Sequence, residues 1–314
     1  MRRQAVKGVI EVAIVQTGRA YSYGRLREDL EALRGCYPWL ETGTAGRSLF
    51  GRELYYLRLG DGPRQVFYHG AHHAIEWITS PLLLKFAENY LAAFAGSGSL
   101  HGYPAKEVWR RSSIYLLPMV NPDGVDLVLG QFGRDDPRYR AAQALPRGAK
   151  PLENVWKANG RGVDLNLNYP AGWEWTVRFM AEQRISGPAP SDYAGPAPLS
   201  EPESGAVARF TEAHDFQLVL AFHSQGEVIY WQYGDRTPAD ARSIAAQMAR
   251  VSGYALEGNP GDAVGGGYKD WFIERFGRPG FTVEVGWGEN PLPVKQFAKI
   301  YRDCEELLLV AALG

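Results

Sequence analysis

Gln65-Val66-Phe67-Tyr68-His69-Gly70-Ala71-His72-His73-Ala74-Ile75-Glu76-Trp77 decides how the chain is built. Strand-forming residues end at His69, a glycine follows, and the apolar segment from Trp77 to Phe94 is long enough for a helix. Pro81 fits that helix in its first turn, where a backbone N–H is not needed. Two histidines and a glutamate therefore sit where a strand gives way to a helix. Upstream, the turn signal Gly60-Asp61-Gly62-Pro63 separates this strand from a second strand-like run, Leu54–Leu59. Leu26, Leu30 and Leu33 recur at helical spacing before Gly35 and predict an amphipathic helix over 23–34.

The same alternation continues downstream. Ile114–Val120 reads as a buried strand feeding a loop at Asn121-Pro122-Asp123-Gly124. Ser200-Glu201-Pro202-Glu203 has the spacing of a capping box and predicts a helix to about His214, and Phe216–Phe222 reads as another buried strand. Phe281-Thr282-Val283-Glu284-Val285 is a further run of strand formers. Strands alternating with helices predict an α/β fold: a single domain with a mixed, mostly parallel central sheet flanked by helices. Residues 121–198 are polar, aromatic and rich in glycine and proline, and a loop region of that length in a compact domain is usually functional. The expected division is an N-terminal extension over 1–20 and one domain over 21–314.

With 45% hydrophobic and 22% charged side chains, the 314 residues have the make-up of a globular protein with a substantial core. A net charge of −1 leaves no basic excess to attract nucleic acid or an anionic membrane. Cys36 and Cys304 are too few for a disulfide framework and read as structural thiols. Arg2, Arg3 and Lys7 start the chain, but Glu11 breaks the apolar run that follows, so no signal peptide is expected. No segment has the roughly 20 apolar residues needed to span a bilayer.

Imidazole nitrogen and carboxylate oxygen are an ordinary zinc pairing, and His73 and Glu76 stand three residues apart at a strand-to-helix turn. Alone, such a pair also arises as surface charge or helix capping. A catalytic zinc site needs a third protein ligand. His223, closing the apolar run Leu218-Val219-Leu220-Ala221-Phe222, stands at a strand's C-terminal edge, where open α/β sheets bind ligands. A hydrogen-bonded edge histidine is the alternative. Glu284 lies inside a run of strand formers, where a lone carboxylate is costly unless paired, near a metal or exposed at a cleft.

Five ordered motifs, Gly-Ala-His-His-Ala-Ile-Glu-Trp-Ile-Thr (70–79), Val-Asn-Pro-Asp-Gly (120–124), Gly-Val-Asp-Leu-Asn-Leu-Asn (162–168), Ala-Phe-His-Ser (221–224) and Phe-Thr-Val-Glu (281–284), resemble those of the zinc metallocarboxypeptidases. The resemblance runs from about residue 20 to the C-terminus. It implies that His73, Glu76 and His223 bind one zinc ion and that Glu284 is the base that activates water for attack on an amide. His73 has the family's spacing to Glu76, which leaves His72 to pack or to support.

Where the family carries Asn-Arg-Asn, whose arginine grips the substrate's C-terminal carboxylate together with the preceding asparagine, this chain has Asn166-Leu167-Asn168. A leucine cannot make that charge-assisted contact. The segment from Trp156 to Glu174 instead resembles the bacterial γ-D-glutamyl-meso-diaminopimelate peptidases, which cut the stem peptides of peptidoglycan. No LysM-like repeat is visible, so the resemblance implies an intracellular, cytoplasmic member. Asn166, Leu167, Ser224 and Lys269 are the expected substrate-binding residues, with Lys269 at the position that sets preference for the residue after the cut and suited to an anionic group. A lysine merely exposed beside the glycine-rich turn Gly265-Gly266-Gly267 is the alternative. Lys157, or else Arg161, aligns with the arginine that polarises the scissile carbonyl. The family's mobile tyrosine has no counterpart in Gly258–Val264, and Tyr254 and Tyr268 lie outside that stretch. Ser224 as a hydrolytic nucleophile lacks the first glycine of a nucleophile elbow. A carboxypeptidase acting on other peptides and an inactive wall-peptide-binding protein are the remaining readings.

Overall fold

A computed structural model describes residues 13–145, 151–258 and 265–314. Eight strands make one sheet in the order β1 (Glu41–Arg47), β2 (Glu53–Leu59), β6 (Ser112–Leu117), β3 (Arg64–Gly70), β7 (Phe216–His223), β10 (Gly280–Glu284), β8 (Val228–Tyr230), β9 (Ala255–Glu257). The two-residue strands β4 (Ser99–Leu100) and β5 (Tyr103–Pro104) form a separate hairpin. The central strands β6, β3, β7 and β10 run parallel, and among the described residues antiparallel pairing in the eight-stranded sheet joins β1 with β2, β2 with β6 and β8 with β10. The carboxyl ends of the four central strands therefore share one edge.

Both faces of the central strands are covered, so the strands are nearly continuous in apolar residues. Val66, Tyr68, Ile114, Leu116, Leu218, Leu220 and Phe222 point into the larger core with helices α1 (Tyr23–Cys36), α2 (Thr79–Ala95) and the C-terminal helix Phe297–Leu313. Their neighbours Phe67, Tyr115, Val219 and Ala221 turn to the opposite face, against the helices Pro202–Glu212 and Tyr268–Phe276. This period of two is the pleat of a strand read in side chains. The C-terminal helix is pinned by hydrogen bonds as well as by packing: Tyr68 Oη donates to the Leu308 carbonyl (3.0 Å) and Ser112 Oγ to that of Ala312 (2.7 Å).

Most predicted elements form, with three departures. Helix α1 runs through Gly35 to Cys36, since Ser22 caps its start and Leu26, Leu30 and Leu33 bury its apolar stripe. Asn121-Pro122-Asp123-Gly124 is not a loop but the start of a helix, Pro122–Val128, with Asn121 Oδ1 accepting from the Gly124 amide (2.9 Å) and proline at its first position. The capping box does not close. The helix from Pro202 is entered at Glu201, while the buried Glu203 carboxylate accepts from the Leu49 amide (2.8 Å) and Asn159 Nδ2 (3.2 Å) on other parts of the chain. Of the N-terminal extension, residues 1–12 lie outside the described region, and the Ile14 amide bonds to Glu88 of α2 (2.6 Å). Cys304 is buried and Cys36 exposed, both as free thiols.

Candidate metal centre and active site

Strand β3 ends in a sharp turn that aims the first two acidic and imidazole groups. Ala71 takes a left-handed conformation (φ 51°), its amide bonds to Thr79 Oγ1 (2.8 Å), and Thr79 Oγ1 donates to the Glu76 carbonyl (2.9 Å). A single 3₁₀ turn, Ala74–Glu76, then brings His73 and Glu76 to the same side. His73 Nδ1 lies 2.9 Å from Glu76 Oε1, and His223 Nδ1, from the end of β7, lies 2.9 Å from Glu76 Oε2. One ligand atom of each residue falls within 4.8 Å of the others, the arrangement required to hold a metal ion. Two imidazoles and a carboxylate form the donor set of a three-ligand zinc site with an open fourth position. Asp164 Oδ1 accepts from the far side of His73, 3.1 Å from Nε2, which orients the ring as ligating histidines are oriented elsewhere. These residues fit a zinc ion. His72 faces the other way, buried, with Nε2 2.9 Å from the Tyr169 hydroxyl.

The cluster's own charges compensate one another. Burial opposes ionisation of His73, but Glu76 and Asp164 outweigh it and push the imidazole up to about 10. Glu76, despite its burial, is held well below the usual carboxylate range by the two histidines. Glu284 is opposite His223 in the parallel register of β10 and β7. Burial first, then the charge of Glu76, raises its carboxyl to about 8 against the pull of His73 and Lys157. Lys157 adds a further charge. Burial disfavours its ammonium, yet Glu76, Asp164, Asp192 and Glu284 together raise it above its ordinary value. No hydrogen bond or ion pair engages that ammonium among the described residues, so a half-buried cation faces the cluster with bonds to offer. Its backbone is fixed: the Lys157 carbonyl accepts from the Ala74 amide (3.0 Å), which ties the lysine to the histidine turn.

The remaining predicted residues divide. Arg161 is turned away: its guanidinium forks onto Glu201 (2.7 and 2.9 Å) and the Ser200 carbonyl (3.1 Å) and is half exposed. Ser224 is buried and does not offer its hydroxyl to a cleft, because Oγ donates to Asn290 Oδ1 (2.7 Å) while Asn290 Nδ2 donates to the Ser224 carbonyl (2.6 Å). Asn166 accepts the Tyr268 amide on Oδ1 (3.2 Å) and bonds through its own amide to Asp164 Oδ1 (3.2 Å). Leu167 packs beside Trp173 and Tyr193 on the small cluster of Met180, Ile185 and Ala194. Gly266 holds this turn in place. It sits at φ 72°, and a Cβ there would come within 2.5 Å of the Leu167 carbonyl oxygen. Lys269 is buried rather than exposed, and it is not a bare cation: Nζ donates to the Gln232 carbonyl (2.6 Å) and pairs with Asp270. Most of Gly258–Val264, the stretch that aligns with the family's mobile tyrosine, lies outside the described residues.

The zinc carboxypeptidase family profile matches residues 26–306. The chain belongs to this family. It is 36% identical to a γ-D-glutamyl-L-diamino acid endopeptidase of Lysinibacillus sphaericus over 94% of this chain and 73% of that protein. An uncharacterized Bacillus subtilis protein, YqgT, is 32% identical over 94% of this chain and 77% of its own length. Among solved structures, thrombin-activatable fibrinolysis inhibitor superposes with a TM-score of 0.72 at 18% identity, covering 96% of this chain and 77% of that one. The murein-tripeptide amidase MpaA of Escherichia coli O157 superposes at 0.55 with 20% identity, covering 88% and 94%. At those identities the structures speak for the fold.

Within this zinc carboxypeptidase fold, sequence reasoning left two groups without a role. Asp164 was inside a quoted motif, but only its approach to His73 shows what it supports. Asn290 lies in no motif, and nothing in the sequence signals that it ties the segment after Glu284 to the one after His223. Among the described residues no helix is long and apolar enough to cross a membrane.

Proposed function

We propose that the chain is a zinc peptidase that cleaves the γ-D-glutamyl-meso-diaminopimelate bond of peptidoglycan stem peptides, with His73, Glu76 and His223 holding the ion. Zinc, when bound there, lowers the pKa of a water it holds to about 7 and polarises a carbonyl. Glu284, opposite His223 in the parallel register, takes a proton from the attacking water and passes it to the departing nitrogen in this reading. Burial and then the charge of Glu76 hold the Glu284 carboxyl up at about 8, and positive charge brought to the cluster favours its ionised form near neutrality. Lys157, with its ammonium uncommitted, stabilises the negative charge that develops on the carbonyl oxygen, a role for which the turned-away Arg161 is not placed.

The observation that carries the choice of substrate is Leu167. At the position where the family's arginine would grip a C-terminal carboxylate, an apolar side chain packs on Met180, Ile185 and Ala194, so that grip is missing. The Lysinibacillus relative, a γ-D-glutamyl-L-diamino acid endopeptidase by name, supports the same choice. The test is incubation of the zinc-loaded protein with L-Ala-γ-D-Glu-meso-diaminopimelate and with ordinary C-terminal dipeptides, read by mass spectrometry. Diaminopimelate release is expected, and Glu284→Gln removes turnover while zinc stays bound. Trimming of ordinary peptides with the tripeptide left intact would overturn the reading.

A further inference from the structure

Asn121 caps the helix Pro122–Val128 with its carboxamide oxygen, which accepts the Gly124 amide (2.9 Å). The nitrogen end of the same side chain serves a different purpose. Asn121 is fully buried, and Nδ2 donates to the carbonyls of His72 (3.1 Å), Ala158 (3.0 Å) and, more weakly, Lys157 (3.4 Å). A carboxamide has two N–H donors, so these carbonyls, from two separate segments of the chain, share them. Buried carbonyls left without a donor are costly, and the segments close on each other only because this amide lies between them. One side chain thus joins the residue before the metal-site histidine His73 to the lysine that faces the metal cluster.

Gly124 leaves room for this junction. Glycine is a poor helix former, yet it stands in the first turn of this helix, where a Cβ would lie 2.5 Å from the Ala158 carbonyl oxygen and 2.7 Å from Asn121 Nδ2. The backbone around Lys157 is held elsewhere as well. The Lys157 and Ala158 amides both donate to the Pro190 carbonyl (2.8 and 3.0 Å), and the Lys157 carbonyl accepts from Ala74, the residue after His73. The half-buried side chain has no such fixing: its ammonium ends a flexible four-carbon stem and makes no hydrogen bond or ion pair among the described residues. Where that ammonium comes to rest therefore depends on where the backbone is held.

We infer that Asn121 is a positioning residue for the reaction: its amide sets the Lys157 backbone against the turn that carries His73, so that the ammonium meets the negative charge developing on the scissile carbonyl. Asn121 is buried and acts only through the groups it holds. A misplacement of about 1 Å in a reacting geometry costs on the order of 10²-fold in rate, so the junction has leverage on catalysis without touching the substrate. The inference rests on the proposed role of Lys157 and adds the group that makes that role possible.

A double-mutant cycle separates this role from a structural one. Asn121→Ser keeps an oxygen to cap the helix and drops the amide donors, while Gly124→Ala disturbs the same junction and leaves Asn121 in place. Each is made alone and together with Lys157→Met. Zinc content is measured by competition with a chromophoric chelator, and kcat and KM on whichever of the tripeptide and the ordinary C-terminal dipeptides the wild type cleaves. Each single variant is expected to lower kcat by about 10- to 100-fold with KM and zinc content little changed. Once Lys157 is replaced, the same substitutions are expected to change kcat by less than about 2-fold. Losses of equal size in both backgrounds overturn the inference, as does a loss that tracks zinc content, because Asn121 then supports the fold or the metal ligands instead. Full activity of Asn121→Ser overturns it as well. If Asn121→Ser does not fold, Gly124→Ala decides the cycle alone, and failure of both to fold assigns the junction to the fold and overturns the positioning role. A Lys157→Met protein as active as the wild type overturns the reading of the lysine, and the inference with it. Cleavage of neither substrate by the wild type overturns the proposed function and this inference together.

Discussion

Glu203 makes a sharp stability prediction. Its side chain is fully buried behind the segment that carries Lys157 and Asp164, accepting from Leu49 and sharing the Asn159 amide with Glu201. Burial, the largest cause, raises its carboxyl from 4.5 to about 7, and the charge of Asp123 adds to the effect. For an acid with a raised folded pKa, the associated stability is fully present below the unfolded value, near 4.5, and is lost as pH climbs through about 7. A difference of about 2.5 pKa units at 1.36 kcal/mol each amounts to roughly 3 kcal/mol. Glu203→Gln removes the titration: its carbonyl can still accept from Leu49, while its amide gives up the bond from Asn159 Nδ2, a loss that does not depend on pH. Urea unfolding of both proteins in chelator at a series of pH values isolates the residue, because titrations independent of Glu203 cancel in the difference. The wild type is expected to lose roughly 3 kcal/mol relative to Glu203→Gln between pH 4.5 and 8. Parallel stability curves would refute the reasoning, as they would mean that Glu203 ionises as easily in the folded chain as in the unfolded one.

Asp164→Asn is expected to weaken zinc binding by about 10- to 100-fold, measured by competition with a chromophoric chelator, since His73 loses its carboxylate partner. Lys157→Met is expected to lower kcat by on the order of 10²–10³-fold with KM and zinc content little changed, and a loss seen only in KM would reassign the lysine to ground-state binding. Gly266→Ala is expected to cost at least about 1 kcal/mol in thermal unfolding, because a Cβ at φ 72° meets the Leu167 carbonyl. Asn290→Ala is expected to reduce activity while zinc stays bound, as the tie from Ser224 to the segment after Glu284 is cut; an unchanged rate would show that the tie does not position the base.

Strands and helices were legible in the sequence because they depend on local pattern, whereas the candidate metal ligands were legible only through the family resemblance. Apolar runs of strand length predicted β3, β6, β7 and β10, and the histidine and glutamate at the ends of such runs fall together because parallel strands share a carboxyl edge. Where a side chain had a choice of distant partners, pattern was silent. Glu203 stood in a capping-box spacing, yet Leu49 and Asn159, far away along the chain, claimed it. Arg161 and Lys157 both align with the carbonyl-polarising arginine, and pattern gave no sign that Glu201 takes the Arg161 guanidinium. Ser224 resembled a cleft residue until Asn290 closed on it, and Lys269 resembled a lone cation until Asp270 and Gln232 enclosed it. The sequence by itself determined the layers of the fold and the donor types of the candidate metal site, since burial patterns and donor types are properties of residues taken in order. Only the tertiary structure decided which charges are free and which are spent, because a hydrogen bond or ion pair between distant residues is set by how the chain closes on itself.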